Sequence, residues 1–255
     1  MIKGFVFYKG KSRIDAKPIV GIATLKSKNG KTGNMVQTWI IREDIPPVDA
    51  IHSGEDESIC GKCPLRGFLE KKEDGSTTNR QRSCYVNVAN SVYQIYKSYK
   101  NGGYVDLTND KKKIHQYILG RKVRLGAYGD PTAIPLYAWK PILNSCFGHT
   151  GYTHQWRMNK FKHWNKYLMA STHSVKENEA ARKNGWRTFR TAITTGDVAK
   201  DEVICPASKE MGFKRTCETC MACSGGSTGK RSIVITIHGS PSVVKPGIKT
   251  LQKLN

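Results

Sequence analysis

Acidic residues are scarce in this sequence: 20 Asp and Glu face 42 Lys and Arg, a formal net charge of +22. Such a surface repels itself and attracts polyanions at long range. Long apolar runs are also missing, and none approaches the length that spans a bilayer. The first residues, Met1 to Lys9, carry no long apolar stretch behind their first charge. We therefore expect no secretory leader and a reducing cytosol as the compartment. The composition of a disordered chain is absent too. Apolar residues make up 38% and charged residues 24% of 255 positions, enough for one large domain or two modest ones with a real core.

What is present begins with the charge. A pI near 9.7 is the electrostatic footprint of a nucleic-acid binder, with DNA placed ahead of RNA. A generally basic proteome, anionic lipid and simple solubility are the competing explanations. Two stretches mix basic with aromatic residues. One holds Tyr96, Lys97, Tyr99 and Lys100, the other Trp156, Arg157, Lys160, Phe161, Lys162, Trp164 and Lys166. Lys97, Lys100, Arg157, Lys160, Lys162 and Lys166 are the candidate phosphate contacts, with the aromatic rings as stacking partners. The alternative is a pair of amphipathic segments, rings inside and lysines outside.

Eight cysteines matter next. In a cytosolic chain, clustered cysteines more often hold metal than form disulfides. Cys217, Cys220 and Cys223 form a C-x-x-C-x-x-C run, and Cys205, followed by Pro206, is a fourth ligand from a distance. Four thiolates satisfy tetrahedral zinc. The same set fits a four-iron, four-sulfur cluster, in which such a run is joined by a distant Cys-Pro. Zinc is the first expectation and the iron–sulfur cluster the alternative. Cys60, Cys63 and Cys84 make a second group, one ligand short. His52 or Cys146 would complete it; left incomplete, it resembles a catalytic metal with an open position. Cys146 reads otherwise as a small buried apolar side chain.

Residues 1–50 read as β structure. Two β-rich runs, 19–25 and 35–41, flank a loop that carries Lys26, Lys28, Lys31 and an Asn-Gly pair, the mark of a hairpin. The polar stretch 70–80 reads as an exposed loop. Helices are expected over 86–100, 111–119 and 174–184, the last with Ser174 as N-cap and Gly185 as stop. From residue 121, short apolar runs at 123–128, 151–154, 167–170, 186–190, 203–205 and 233–237 alternate with helix or loop. That rhythm predicts an α/β domain with a parallel sheet, as a partial or complete (β/α) barrel or, alternatively, an open sheet. The expected organisation is a β-rich segment 1–50, a barrel-like domain 51–240 with cysteine-rich metal-binding loops, and a basic tail 241–255. In such folds working residues gather at strand ends. Asp130, His154, Arg190 and His238 follow or close these runs, so they are the candidate catalytic set. Arg190 would hold a phosphate, and the two histidines would move protons or bind metal.

The runs Arg124–Pro131, Thr150–Trp156, Gly185–Arg190 and Ile204–Ser208, with the Cys217–Cys223 run, resemble a group of uncharacterised phage and plasmid-borne cysteine-rich proteins. A looser likeness is to phage proteins with a radical S-adenosylmethionine-like barrel. It is carried by Cys84-Tyr85 and Gly129-Asp130, while the C-x-x-x-C-x-x-C of that superfamily is absent. The resemblance implies a mobile-element protein and a barrel. Charge, cysteines and strand ends together give two function classes: a metal-thiolate protein that binds nucleic acid in DNA replication or processing and, alternatively, an iron–sulfur or zinc-dependent enzyme with a radical S-adenosylmethionine-like or hydrolase-like barrel site.

Overall fold

The structure, a computed structural model, describes residues 2–27, 29–226 and 231–254. Strands β1 (Gly4–Lys11), β2 (Pro18–Thr24) and β3 (Val36–Arg42) form an antiparallel meander. The expected hairpin is β2–β3, in register from Ile19 opposite Arg42 to Thr24 opposite Gln37. Lys28 of its loop lies outside the described residues. Helices α1 (Pro47–Ser53) and α2 (Glu57–Cys60) follow, then β4 (Phe68–Lys71) and β5 (Thr77–Arg80). These last two pair into a separate exposed hairpin where the sequence predicts a loop. Apart from the half-exposed Phe68 and Leu69 its residues are polar, so no apolar alternation marks it.

A wide turn over 88–92 enters α3 (Tyr93–Lys100), followed by β6 (Val105–Asp106) and α4 (Lys111–Ile118). The repeating part then runs β7 (Lys122–Tyr128), α5 (Leu136–Leu143), β8 (Gly148–Thr153), 3-10 turns within 155–166 and β9 (Met169–Thr172). It continues through α6 (Val175–Lys183), β10 (Thr188–Ala192), β11 (Glu202–Ile204), α7 (Cys217–Cys220), β12 (Ser232–Thr236) and α8 (Pro241–Leu254). Ser174 caps α6 as predicted, its hydroxyl accepting from the Glu177 N–H.

Ten strands make one sheet, ordered β11-β12-β10-β9-β8-β7-β3-β2-β1-β6. The ladder from β11 to β3 is parallel throughout, and β2 alone runs against the rest. This is the expected mostly parallel α/β sheet. Among the described residues no ladder joins the edge strands β11 and β6, so pairing does not close a barrel. Two further expectations change. Residues 1–50 extend the same sheet through β3–β7 rather than standing as a segment apart. Residues 241–254 are a helix, not a tail, with Leu251 fully buried. Lysines hide its apolar stripe from a reading by composition.

The main core lies between the sheet and its helices and includes Phe5, Ile22, Ile40, Leu125, Trp139, Trp164 and Trp186. A smaller cluster joins Met169, Ile233 and Ile235 to Cys205 and Cys223. Parallel strands read as continuous apolar runs because both of their faces are covered.

Candidate functional site

A cavity of about 470 Å³ opens on one face of the sheet. It is lined by alternate residues of the strands: Gln37 and Trp39 from β3, Arg124, Gly126 and Tyr128 from β7, Thr150 and Tyr152 from β8, and Phe189 and Thr191 from β10. A strand's period of two turns every second side chain to the same face. Both cysteine clusters line this one cavity. Cys60, Cys63 and Cys84 contribute from one group, and Cys205, Cys217, Cys220 and Cys223 from the other. All are free thiols.

The early cluster is placed by buried charge. Asp56, fully buried ahead of α2, accepts from Arg66 Nε at 3.0 Å and Nη2 at 2.6 Å, and from Arg82 Nη1 at 3.2 Å. Arg66 also donates to the carbonyls of Gly54 and Gly61. The Asp130 N–H donates to the Ile59 carbonyl at 2.6 Å, and Gln155 Nε2 donates to the Cys60 carbonyl at 3.2 Å, docking the loop on the ends of β7 and β8. Gly61 has φ +55°, and a β-carbon there would meet the Gln155 amide at 2.2 Å. The β4–β5 hairpin returns the chain so that Ser83 N–H reaches the Leu65 carbonyl, which brings Cys84 back to Cys63. Burial pushes the Cys63 thiol up to about 12 and raises Cys60 well above its usual value, with Asp56 adding to the latter. Tyr128 Oη and Arg82 Nη2 are buried beside these thiols without a hydrogen-bond partner.

The late cluster is placed by backbone. Cys205 N–H donates to Val234 on β12, Cys217 N–H to Lys31 in the β2–β3 loop, and Gly151 N–H on β8 to Cys223. Thr216 and Thr219 form a capping box on the short α7. The Glu218 carboxylate accepts from Asn34 N–H at 2.9 Å, so the N-terminal hairpin grips the cysteine loop. Burial raises Cys205 and takes Cys223 up to about 12. Buried thiols of this kind are protonated and inert unless something draws off the proton. Among the described residues, no three of His, Cys, Asp and Glu are arranged to hold a metal ion as they stand.

Three of the four expected catalytic residues line the cavity: Asp130, His154 and His238. Arg190 does not. Its neighbours Phe189 and Thr191 face the cavity, so Arg190 faces away, and its Nε and Nη2 bind the buried Glu202 carboxylate at 2.8 and 2.7 Å. A one-residue step on a strand reverses the face, and position at a strand end does not reveal which face is taken.

Asp130 is a joint rather than an open acid. Its carboxylate accepts from Thr132 N–H and Oγ1, Thr153 Oγ1, His154 N–H and Gln155 Nε2. Burial still raises its pKa. His154 stacks on His173, with Nε2 atoms 3.1 Å apart and rings 8° from coplanar. Burial brings His154 down to about 4 and His173 well below its usual value, with Arg157 adding to both. His238 Nδ1 lies 3.0 Å from the Thr236 carbonyl, which leaves Nε2 facing Lys31 Nζ at 3.5 Å.

The proposed nucleic-acid contacts lie elsewhere. Lys97, Lys100, Arg157, Lys160, Lys162 and Lys166 are all exposed, but Trp156, Phe161, Trp164 and Tyr96 are buried. The rings expected to stack on bases are therefore core. Arg157 pairs with Glu177 and covers Trp156, while Lys160 donates to the Arg13 carbonyl. His52 is exposed on α1 and lines no part of the cavity, and Cys146 packs on the core behind it.

Sequence reasoning missed Arg124, Tyr128, Tyr152 and Tyr85 as cavity residues. One signal was available. Arg124, Gly126 and Tyr128 alternate with apolar Val123 and Leu125 in β7, an unusual pattern for a strand covered on both faces. The arrangement defines a mostly parallel α/β protein with a thiol-lined cavity on one sheet face. No family model, curated protein or solved structure matches the chain, so this geometry carries the functional argument alone.

Proposed function

We propose that this protein is a metal-thiolate enzyme whose reaction takes place in the cavity, and that its partner outside is nucleic acid. The observation that carries the reading is the convergence of seven cysteines, from chain segments more than a hundred residues apart, on one cavity with Asp130, His154 and His238. Cysteines needed only for packing have no reason to share a wall. Cys205, Cys217, Cys220 and Cys223 supply the four thiolates of a closed structural site. Cys60, Cys63 and Cys84 supply three and leave a position toward the cavity, as at catalytic metals. The metal is zinc on the first reading and an iron–sulfur cluster on the second. A bound metal would draw these thiols together and take the place of their protons, which suits loops rather than sheet positions. The seven parallel strands then serve as a partial barrel wall behind the site. DNA replication or processing is the process we propose for it, from the basic charge and the phage and mobile-element likeness.

The test is anaerobic purification followed by metal and sulfide analysis. A brown protein with iron and sulfide, or a colourless one with zinc, supports the reading and chooses the metal. Protein free of both sinks it. For the external partner, exposed lysines on α3 and residues 159–166, with the charge of +22, predict nucleic-acid binding that weakens steeply with salt. Binding indifferent to salt, or none at low salt, removes nucleic acid from the proposal.

A further inference from the structure

Two buried arginines in this protein, Arg187 and Arg124, meet no carboxylate among the described residues, and Arg187 instead donates to the carbonyls of Gly225 and Arg231. Arg42 meets Asp44 and Glu55, Arg66 and Arg82 meet Asp56, and Arg190 meets Glu202. Arg124 is 8% exposed, lies on the cavity floor, and forms no ion pair among the described residues. Its Nη2 donates to Tyr85 Oη at 2.7 Å, and its guanidinium stands 5.9 Å from the Tyr152 ring. Burying a cation without a counter-charge costs several kcal/mol, so the position calls for an anion. Asp130 is the one carboxylate lining the cavity among the described residues, and its oxygens are already taken by five donors.

Other groups around Arg124 point the same way. Lys31 lines the cavity, with Nζ near His238. Thr150, paired in register beside Arg124, is 2% exposed, and its Oγ1 has no hydrogen-bond partner. That is a buried polar atom on the wall of the cavity, next to a buried cation. The remaining walls are aromatic. Tyr85 is 49% exposed and stacks on His238 with ring centres 5.4 Å apart, while Tyr152 lies 4.4 Å from Phe189. Rings of this kind take a flat heteroaromatic group on their faces, and guanidinium takes phosphate in a two-pronged grip. A volume of about 470 Å³ is in the range of small-ligand sites.

We infer that the cavity binds a nucleotide, with its phosphate on Arg124, Lys31 and Thr150 and its base against the Tyr85–His238 pair. This rests on the reading of the cavity as a reaction site and names its substrate class. The nucleotide is either free or the end of a strand, and the two share the same recognition chemistry. Metal-bound thiolates are the rival counter-charge for Arg124, because Cys217 and Cys223 lie within its electrostatic reach.

The experiment titrates the protein, as purified with its metal, with nucleoside monophosphates, inorganic phosphate and short single-stranded oligonucleotides. Arg124→Gln is expected to weaken nucleotide binding by roughly tenfold to a hundredfold with metal content and circular dichroism unchanged. Tyr85→Leu removes the ring as well as the hydroxyl that accepts from Arg124, so it should weaken the nucleotide more than inorganic phosphate. Oligonucleotides that compete with the mononucleotide and bind tighter assign the unit to a strand, and mononucleotide binding alone assigns it to a free molecule. Either result supports the inference. Unchanged affinity in Arg124→Gln, loss of metal along with binding, or no binding of any nucleotide overturns it. Where Arg124→Gln fails to fold, Thr150→Val, nearly isosteric, takes its place, with a several-fold weakening expected and unchanged affinity overturning the inference. Metal-free protein that still binds nucleotide through Arg124 would remove the metalloenzyme reading and leave this one standing.

Discussion

At the early cysteine cluster, a fully buried carboxylate, Asp56, holds two arginines, and the loop hangs on that charge network. At the late cluster the cysteines are fixed by N–H and carbonyl groups, from β8, β12 and the β2–β3 loop. The contrast shows two ways to bring thiols to one wall. Backbone ladders resist the loss of any single side chain, whereas a charge network fails when one member goes. The late group also carries three thiols within seven residues, so local spacing does most of the positioning. The early group must retrieve Cys84 across a hairpin.

The largest expected effect sharpens that contrast directly. Cys220→Ser should abolish metal at the late site and lower the melting temperature by about 10 °C or more, because the binding energy of a structural site is folding energy. Cys63→Ser should lose the early metal and any activity but melt within about 3 °C of the parent, because an open site holds less of the fold together. Metal analysis and thermal melts read both, and equal losses of stability would erase the distinction.

Next comes the charge network. Asp56→Asn leaves two arginines without their buried partner, and chemical denaturation should show a loss of about 3–5 kcal/mol. A change below about 1 kcal/mol would mean the early loop is held by other contacts. Asp130→Ala should cost about 2–4 kcal/mol, since five donors lose their acceptor. That differs from the expectation for an open catalytic acid, whose removal leaves stability alone.

A smaller effect concerns pH. His154 is held at about 4 by burial, with His173 also lowered, so these imidazoles stay neutral in the folded protein while the unfolded chain's take up protons near 6.5. Stability from this pair is full above about pH 6.5 and falls as the pH drops from there toward 4. His154 alone accounts for roughly 3 kcal/mol across that window. His154→Gln should flatten the pH dependence of the denaturation midpoint between pH 6.5 and 4. A variant with the parent's full slope would exclude the histidine pair as its source.

Much of this was legible in the residues themselves. Six apolar runs from residue 121 onward became β7 to β12, because a covered parallel strand writes itself as a short apolar stretch. Ser174 announced α6 through its cap, and the Asn-Gly loop announced the β2–β3 hairpin. The C-x-x-C-x-x-C spacing fixed which late thiols stand together. Strand order was decided by tertiary structure: β12 inserts between β10 and β11, and β3 joins the meander to the parallel ladder. Backbone hydrogen bonds are the same for every sequence, so pairing partners are chosen by packing and connection. The facing of Arg190 and Arg124 was decided there as well. Both are arginines on short apolar strands; the register of alternation sends one to a carboxylate behind the sheet and the other into the cavity. A sequence carries that alternation locally, but which face is empty depends on what the rest of the chain leaves uncovered.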